Sequence, residues 1–226
     1  MENLVIAIDG PAASGKSSVA KLIAAKLGAY YINTGNMYRA AAISAINNNI
    51  DLDNVTEEQL SALIMNLSVS YILSDDKKMI LTINNEPADS KEIRSNEASN
   101  GASKIAESRV IRNWLVHEQR KFTKFGLIVM EGRDIGTNVF PNAKYKFYLT
   151  ASAEVRALRR LKQDDENPPD STIATVASEI AERDKRDSQR KIAPLKQAED
   201  AVFIDSSDMT IKEVIDSIIE RIGARG

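Results

Sequence analysis

A segment near the amino terminus has the composition of a phosphate-binding loop. Residues 10–17 read Gly-Pro-Ala-Ala-Ser-Gly-Lys-Ser and fit the pattern G-x-x-x-x-G-K-[ST]. Such a loop turns its backbone N–H groups toward phosphate oxygens, which requires glycine where a Cβ would clash or φ is positive. Lys16 would supply charge to a transferred phosphate, and Ser17 would offer a hydroxyl to Mg²⁺. The predicted nucleotide-binding residues here are Gly10, Pro11, Ala12, Ala13, Ser14, Gly15, Lys16, Ser17 and Ser18.

The residues around this loop have the patterns of a strand and a helix. The apolar run at 4–8 precedes the loop, and a helical pattern at 19–24 follows it. A helix that starts here would direct its positive end at a bound anion. The order of strand, loop and helix therefore favours a nucleotide-phosphate site over a glycine-rich turn that holds no ligand.

Acidic side chains follow two of the predicted strands. Glu131 comes directly after the apolar run 127–130, and Asp9 ends the first strand. Carboxylates at the carboxyl ends of strands in an open α/β sheet lie at the crevice where ligands bind. Glu131 resembles a Walker B acid and is predicted to hold Mg²⁺ through water, with Asp9 as a second candidate ligand. A role in a turn or a helix cap is the alternative for each.

Arginine is concentrated in the last third of the chain. Arg183, Asp187 and Arg190 have the spacing i, i+4 and i+7, which places them on one face of a helix. A solvated face with ion pairs is one interpretation. Beside a phosphate loop, cations that cover developing charge are favoured instead. Arg39, after the second predicted strand, could reach an acceptor phosphate, while Thr34 is predicted to cap the helix that carries it.

Strand and helix patterns alternate along most of the chain. The strand patterns are 4–8, 29–32, 127–130, 145–149 and 201–204; the helical patterns are 36–48, 109–124, 152–163, 172–189 and 211–222, the last with Asp208 as its predicted cap. Such alternation implies a parallel sheet covered on both faces. The predicted fold class is a three-layer α/β fold with a five-stranded parallel sheet.

Residues from about 64 to 106 interrupt this alternation. Two period-two segments, 68–73 and 79–83, flank a polar run and predict a hairpin within a small inserted α+β subdomain. The polar stretch 163–170 contains Pro-Pro and is predicted to be a loop, either part of a mobile lid or a plain surface connection. The predicted organisation is a single domain, 1–226, with a core (1–63 and 107–226), the inserted subdomain (about 64–106) and a lid (about 158–190).

Composition narrows the class of protein. The 226 residues include 30 Lys and Arg and 32 Asp and Glu, a net charge of −2 that does not indicate a nucleic-acid or membrane-surface binder. Cysteine is absent, which excludes disulfides and fits a reducing cytosol. No apolar run approaches the ~20 residues of a membrane span, and the early first strand leaves no room for a signal peptide. We expect a cytoplasmic monomer whose partners are small molecules.

Further motifs are spread along the whole chain. They are Thr34-Gly35 with Tyr38-Arg39, Glu92-Ile93-Arg94, Ala102-Ser103, Arg112 with Gln119-Arg120, residues 132–137 with Val139-Phe140-Pro141, and residues 182–190 with Ala193-Pro194-Leu195. With residues 8–17 they resemble the bacterial-type cytidylate kinase family of P-loop nucleoside monophosphate kinases. The insertion is similar to that family's enlarged monophosphate-binding subdomain.

The resemblance implies a role for each matching residue. Ser103, Arg112 and Asp134 would bind the edge of the cytosine base. Arg39, Arg133 and Arg190 would bind the phosphate of the acceptor nucleotide, and Arg183 and Asp187 would contact its sugar. Thr34, Tyr38 and Arg94 would also bind the acceptor, and Arg159 would bind ATP. The catalytic residues would be Lys16, Arg133, Arg183 and Arg190. Two positions depart from the family pattern: Glu131 stands where aspartate is usual, and Ser18 where threonine is.

The implied activity is Mg²⁺-dependent transfer of the γ-phosphoryl group of ATP to CMP or dCMP. A kinase for UMP or another small acceptor, and an ATP-binding scaffold without turnover, are the alternatives. A GTP-dependent switch would need a guanine-reading [NT]-K-x-D segment. Residues 123–126 lack its aspartate.

Overall fold

One five-stranded parallel sheet forms the centre of the protein. The computed structural model describes residues 4–162 and 171–224, so the predicted loop at 163–170 lies outside the described residues. The strands are β1 Val5–Asp9, β2 Tyr30–Asn33, β3 Val69–Leu73, β4 Met79–Ile83, β5 Glu86–Pro87, β6 Ile128–Gly132, β7 Tyr145–Thr150 and β8 Val202–Asp205. The central sheet has the order β2-β6-β1-β7-β8 with parallel pairing throughout. The predicted fold class and its five strands are confirmed.

Helices cover both faces of this sheet. They are α1 Lys16–Leu27, α2 Thr34–Asn47, α3 Glu57–Met65, α4 Ser90–Arg94, α5 Asn96–Ile105, α6 Arg109–Arg120, α7 Ala153–Leu161, α8 Ile173–Gln189 and α9 Ile211–Gly223. Within the described ranges, no helix has both the length and the apolar character needed to cross a membrane.

The side chains of β1 explain why the sheet is buried on both faces. Val5 and Ala7 belong to a core that includes residues of α2 and α6, whereas Ile6 and Ile8 belong to a second core with α1 and α9. Successive side chains of a strand point to opposite faces, so a strand that is apolar at every position needs cover on both. This arrangement places the end of β1 in the middle of the sheet's carboxyl edge.

The inserted segment contains the predicted hairpin and the helices α4 and α5, and α3 directly precedes it. β3 and β4 pair antiparallel, which confirms the hairpin, and β5 adds a third strand. The helices α3, α4 and α5 were not predicted, although Thr56 and Gln59 form a capping box at the start of α3. α5 packs against α2 closely enough that a Cβ on Gly101 would lie 2.9 Å from the side chain of Ala42.

The predicted role of Thr34 as a helix cap is wrong. Asn33 is the N-cap of α2, and its side chain accepts a hydrogen bond from the backbone N–H of Asn36 at 3.1 Å. The Thr34 hydroxyl instead donates to the carbonyl oxygen of Glu131 at 2.8 Å. Thr34 therefore fastens the start of α2 to the end of β6.

The predicted cap of α9 also needs correction. The N-cap is Thr210, whose side chain and backbone exchange hydrogen bonds with Glu213, so Asp208 is not the cap. Arg190 is the C-cap of α8, and its backbone N–H still donates to the carbonyl oxygen of Arg186 at 3.1 Å. Its φ of −59° is helical and only its ψ of 142° is not, so Arg190 keeps the predicted position on the face of α8 that carries Arg183 and Asp187.

Gly10 is required where the chain leaves β1. Its φ is +152°, and a Cβ added to it would lie 2.0 Å from the carbonyl oxygen of Leu149 in β7. No side chain fits there unless the strand moves. The phosphate-binding loop therefore starts from a backbone position that only glycine can occupy.

We expect Gly10→Ala to lower the unfolding temperature by roughly 10 °C or more, equivalent to about 4 kcal/mol or more for a chain of this size. The matched control is Gly28→Ala, where φ is +62° and no atom lies within 4 Å of the added Cβ. Strain alone should cost the control about 1–2 kcal/mol. Equal temperature losses in the two variants, measured by differential scanning calorimetry, would contradict the assigned clash.

Candidate active site

A cleft of about 800 Å³ opens beside the phosphate-binding loop at the carboxyl edge of the central sheet. The described residues that line it include nine cationic side chains and a single carboxylate, that of Glu131. The cations are Lys16, Lys21, Arg39, Arg94, Arg133, Arg159, Arg160, Lys162 and Arg183. In a chain whose net charge is −2, this concentration of positive charge predicts a polyanionic ligand.

Lys16 is held inside its own loop. The ammonium group donates to the carbonyl oxygen of Pro11 at 2.5 Å and to the Ser14 hydroxyl at 3.2 Å. Burial, reinforced by the nearby charge of Arg133, lowers the pKa of Lys16 to about 7. A bound phosphate would favour the charged form of Lys16, because an adjacent anion stabilises the ammonium.

Ser17 and Glu131 meet at the mouth of the loop. The Ser17 hydroxyl donates to Glu131 Oε1 at 2.5 Å, and the Tyr31 hydroxyl donates to the same oxygen at 2.9 Å. A hydroxyl beside a carboxylate is the oxygen-rich donor set that Mg²⁺ prefers. The part of the chain that the structure describes holds no group of three His, Cys, Asp or Glu side chains suited to a metal. A metal at this point would therefore also need phosphate oxygens and water.

Asp9, the other candidate metal ligand, is engaged elsewhere. Its two carboxylate oxygens accept the backbone N–H groups of Ile135 and Gly136, each at 2.8 Å. Burial raises the pKa of Asp9 to about 7 against the opposing effect of these two bonds. The hydrogen bonds favour an anchoring role for Asp9 over a metal-binding one.

Three guanidinium groups from different helices converge on the hydroxyl of Ser99 in α5. Arg39 of α2 lies 3.3 Å from Ser99 Oγ and Arg160 of α7 lies 3.4 Å from it, while Arg183 of α8 makes a shorter contact. Burial and the charge of Arg133 lower the pKa of Arg183 to about 9. Cations gathered around one neutral oxygen provide donors for an anion with several oxygens.

A second, buried group of charges centres on Asp134. One carboxylate oxygen accepts from Arg112 and from Asn138 Nδ2 at 3.0 Å, and the other accepts from Arg190 at 3.3 Å. Arg112 is only 2 % exposed, and its Nε has no hydrogen-bond partner among the described residues. An unpartnered buried donor is costly, so this nitrogen is a candidate contact for a ligand.

Asp187 connects this group to the cleft. It accepts from Arg133 Nε at 2.9 Å and from the Ser103 hydroxyl at 3.3 Å. Burial alone would raise the pKa of Asp187, but Arg133, Arg183 and Arg190 together outweigh burial and hold the pKa below its usual value. Asp187 is therefore ionised at neutral pH and can accept further hydrogen bonds.

The family is identified by comparison with known sequences. The sequence model of the family described as cytidylate kinase matches residues 6–224. This chain belongs to the cytidylate kinase family. A cytidylate kinase from Clostridium botulinum strain Langeland is 45 % identical, with 96 % of this chain and 97 % of that protein covered. The cytidylate kinase from Ligilactobacillus salivarius is 43 % identical, with 100 % of this chain and 99 % of that protein covered. The one from Bacillus subtilis is 42 % identical, with 98 % of this chain and 97 % of that protein covered.

The structure divides the residues predicted from the cytidylate kinase resemblance between two regions. Residues of the phosphate-binding loop, with Arg39, Arg94, Arg133, Arg159 and Arg183, line the open cleft. The second group consists of Ser103, Arg112, Asp134, Asp187 and Arg190. None of these five is among the described residues that line the cleft. These five are buried together behind the cleft. Arg133 bridges the two regions through Asp187.

Two further predicted residues of this cytidylate kinase family member contact the groups just described. Tyr38 packs beneath Arg112, whose guanidinium carbon lies 5.7 Å from the ring centre. Arg159 donates to the carbonyl oxygen of Ser14 at 3.2 Å and to the carbonyl oxygen of Ser206 at 2.8 Å. Arg159 thus lies against the phosphate-binding loop.

Sequence reasoning missed several contributors to the site. Ser99 lies one helical turn before Ser103, a spacing that could have identified it as sharing the same face of α5. Asp184 accepts from the backbone N–H of Ala12 at 3.0 Å and pairs with Arg156, which joins α8 and α7 to the phosphate-binding loop. Asp184 lies in the motif at 182–190, but no local pattern indicates this contact, because its partners are far away in the sequence.

Proposed function

We propose that this protein transfers the γ-phosphoryl group of ATP to CMP and dCMP, giving ADP with CDP or dCDP. The observation that carries the proposal is the position of the charges: a cation-lined phosphate cleft adjoins a buried Arg112–Asp134 pair suited to a cytosine edge. Relatives named cytidylate kinase, which match nearly the whole chain, support the choice of acceptor.

The chemistry assigned to the protein is positioning and charge stabilisation. An acceptor phosphate oxygen is already anionic, so no strong general base is needed. Lys16, Arg133 and Arg183 would offset the charge that develops on the transferred group, with Arg190 completing the catalytic set. Arg39, Arg133 and Arg190 would orient the acceptor phosphate for in-line attack. Arg94 and Thr34 are further proposed acceptor contacts, and Arg159 a proposed ATP contact.

The proposed contacts with the cytosine base follow from the hydrogen bonds that each side chain can still make. An ionised carboxylate offers about four acceptor positions, and Asp134 uses three of them, for Arg112, Asn138 and Arg190. The remaining position can accept the N4 amino group of cytosine. Arg112, which can only donate, suits cytosine N3, and its Nε is available among the described residues. Ser103 would make a third contact with the edge of the cytosine base, and Tyr38 would form one wall of the base pocket. Asp187 and Arg183 would contact the sugar.

We further propose that Ser17 and Glu131 hold Mg²⁺, Ser17 directly and Glu131 through water. When bound, Mg²⁺ would supply positive charge to the ATP phosphates. The 2.5 Å contact between the two side chains supports this proposal, because side chains this close together can both bind one small cation.

Glu131→Gln should raise the free Mg²⁺ concentration needed for half-maximal activity by about 10- to 100-fold, because the amide keeps the size but lacks the charge that orders metal-bound water. Titration with Mg²⁺ at saturating nucleotides measures this. Glu118→Gln is the matched control, since Glu118 pairs with Lys121 on the surface of α6. An unchanged Mg²⁺ requirement in Glu131→Gln would refute the metal role.

The proposed organisation keeps residues about 64–106 as the monophosphate-binding subdomain and about 158–190 as a lid, with the remainder as core. Residues 163–170 of that lid lie outside the described residues. A cytoplasmic location is also a proposal, which the lack of cysteine supports, and a monomeric state is a further proposal.

The activity is tested by incubating the purified protein with ATP, Mg²⁺ and CMP and separating the nucleotides by ion-exchange chromatography. CDP and ADP should appear in equal amounts, and omission of either nucleotide should abolish CDP. ADP formation at the same rate without CMP would indicate an ATPase instead. Nucleotide binding without any turnover would support the scaffold alternative.

A further inference from the structure

Asp9 joins the two loops that would hold the two nucleotides. It is the last residue of β1 and directly precedes Gly10, the first residue of the phosphate-binding loop. Its carboxylate accepts the consecutive N–H groups of Ile135 and Gly136, both at 2.8 Å. These two amides belong to the start of a π-helical turn, Ile135–Val139. One side chain thus fixes the end of β1 to the segment that follows β6.

That segment, residues 133–139, carries two residues with proposed roles toward the acceptor. Arg133 lines the cleft and pairs with Asp187 at 2.9 Å, and Asp134 is the centre of the buried charge group. Arg133 and Asp134 lie one to three residues before Ile135 and Gly136, whose N–H groups bind Asp9. A shift of the π-helical turn would therefore move the proposed phosphate ligand and the proposed cytosine reader together.

The geometry around Asp9 leaves little freedom for this segment. Asp9 is 5 % exposed, and two successive backbone N–H groups form a concave site that matches a carboxylate. A Cβ on Gly136 would lie 3.4 Å from Asp9 Oδ2 and 3.1 Å from the side chain of Lys146. On the other side, Arg120 donates to the carbonyl oxygens of Asn138 and Val139, both at 2.9 Å. The segment is held at both ends by charged side chains.

We infer that Asp9 is a positioning residue for the acceptor: it sets the distance between the phosphate-binding loop and the acceptor-binding segment 133–139. It does so through the backbone and is not a metal ligand. This inference rests on the proposed function, because the acceptor roles of Arg133 and Asp134 belong to that proposal. The inference goes beyond that proposal because it makes one carboxylate responsible for the relative position of the ATP site and the acceptor site.

Asp9→Asn tests the inference, because the amide keeps the size but turns one acceptor into a donor that faces a backbone N–H. We expect kcat with CMP to fall by about 10- to 100-fold and KM for CMP to rise by about 10-fold. KM for ATP should stay within about 2-fold, and so should the Mg²⁺ requirement. The ratio of kcat/KM for CMP to that for UMP should fall, because Asp134 moves with the segment.

A merely structural role predicts a different pattern. Gly28→Ala, which strains the end of α1 away from both loops, serves as the control for lost stability. If Asp9→Asn changes the KM values of CMP and ATP by the same factor, as a general loss of structure would, the positioning role is wrong. A raised Mg²⁺ requirement, as expected for Glu131→Gln, would show that Asp9 is a metal ligand instead.

The inference remains testable if Asp9→Asn does not fold. In the wild-type protein without nucleotides, amide NMR should show Ile135 and Gly136 protected from solvent exchange by at least about 10-fold relative to the amide of Asp75, an exposed residue in the turn between β3 and β4. Rapid exchange at both amides would overturn the inference. Wild-type protein that lacks activity with CMP but retains these protected amides would refute the proposed function while leaving the anchoring contact in place.

Discussion

Lys16→Ala should lower kcat by about 10³-fold or more while the protein remains folded. The conformation of the loop comes from Gly10, Gly15 and the backbone, whereas the Lys16 ammonium neutralises charge that grows on the transferred phosphoryl group. The hydrogen bonds that this ammonium donates to described residues go to Pro11 and Ser14, both in its own loop. Its removal therefore breaks no contact between distant elements.

Lys26→Ala on the same helix is the control for Lys16→Ala. Lys26 forms an exposed ion pair with Asp216, so its loss should change neither kcat nor stability by more than a small amount. Steady-state kinetics give kcat, and circular dichroism checks the fold. A folded Lys16→Ala protein with nearly normal kcat would mean that this loop does not serve the reaction.

Replacement of Asp134 or Arg112 should narrow the preference for CMP over UMP by about 10²-fold, mainly through lost activity with CMP. Cytosine presents an N4 amino donor and a bare N3 acceptor, and uracil reverses both. An ionised Asp134 can only accept, so it suits N4–H and repels O4 of uracil. Arg112 can only donate, so it suits cytosine N3 and opposes N3–H. Two reversed contacts in a desolvated site cost several kcal/mol.

The Asp134 and Arg112 variants need a test of folding, because each removal leaves an unpaired charge in a buried group. Arg112 and Asp134 are 2 % and 5 % exposed, and breaking a buried pair costs about 3–5 kcal/mol. Asp134→Asn preserves the packing and still removes the charge. KM for ATP in each variant reports whether the donor site is intact. Loss of activity with CMP and UMP by equal factors would refute the cytosine-reading role.

Local patterns in the sequence were sufficient to predict the central sheet and the phosphate-binding loop. The strand at 127–130 was evident because apolar residues at every position require burial on both faces. The sequence pattern predicts Asp208 as the cap of α9, whereas Thr210 and Glu213 form the capping box. Both residue types cap helices, and only the reciprocal bond with Glu213 decides between them.

The partners of the charged residues could not be predicted in the same way. Ser99 meets Arg183 across 84 positions of the chain, and Asp9 meets Ile135 across 126. Such contacts depend on how α5, α8 and the sheet pack, which no local spacing encodes. The spacing places Arg183, Asp187 and Arg190 on one helical face, but it does not identify Asp134 as the partner of Arg190.

The central claim, cytosine-selective phosphoryl transfer, is tested most directly by kcat/KM for the wild-type protein with CMP, dCMP, UMP, AMP and GMP as acceptors. A coupled assay of ADP release at fixed ATP and Mg²⁺ gives all five values. We expect CMP and dCMP to be used efficiently and UMP to be at least about 10²-fold poorer, because uracil reverses two contacts. Equal efficiency with UMP and CMP would contradict the cytosine-reading site, and absence of ADP release with every acceptor would contradict the kinase itself.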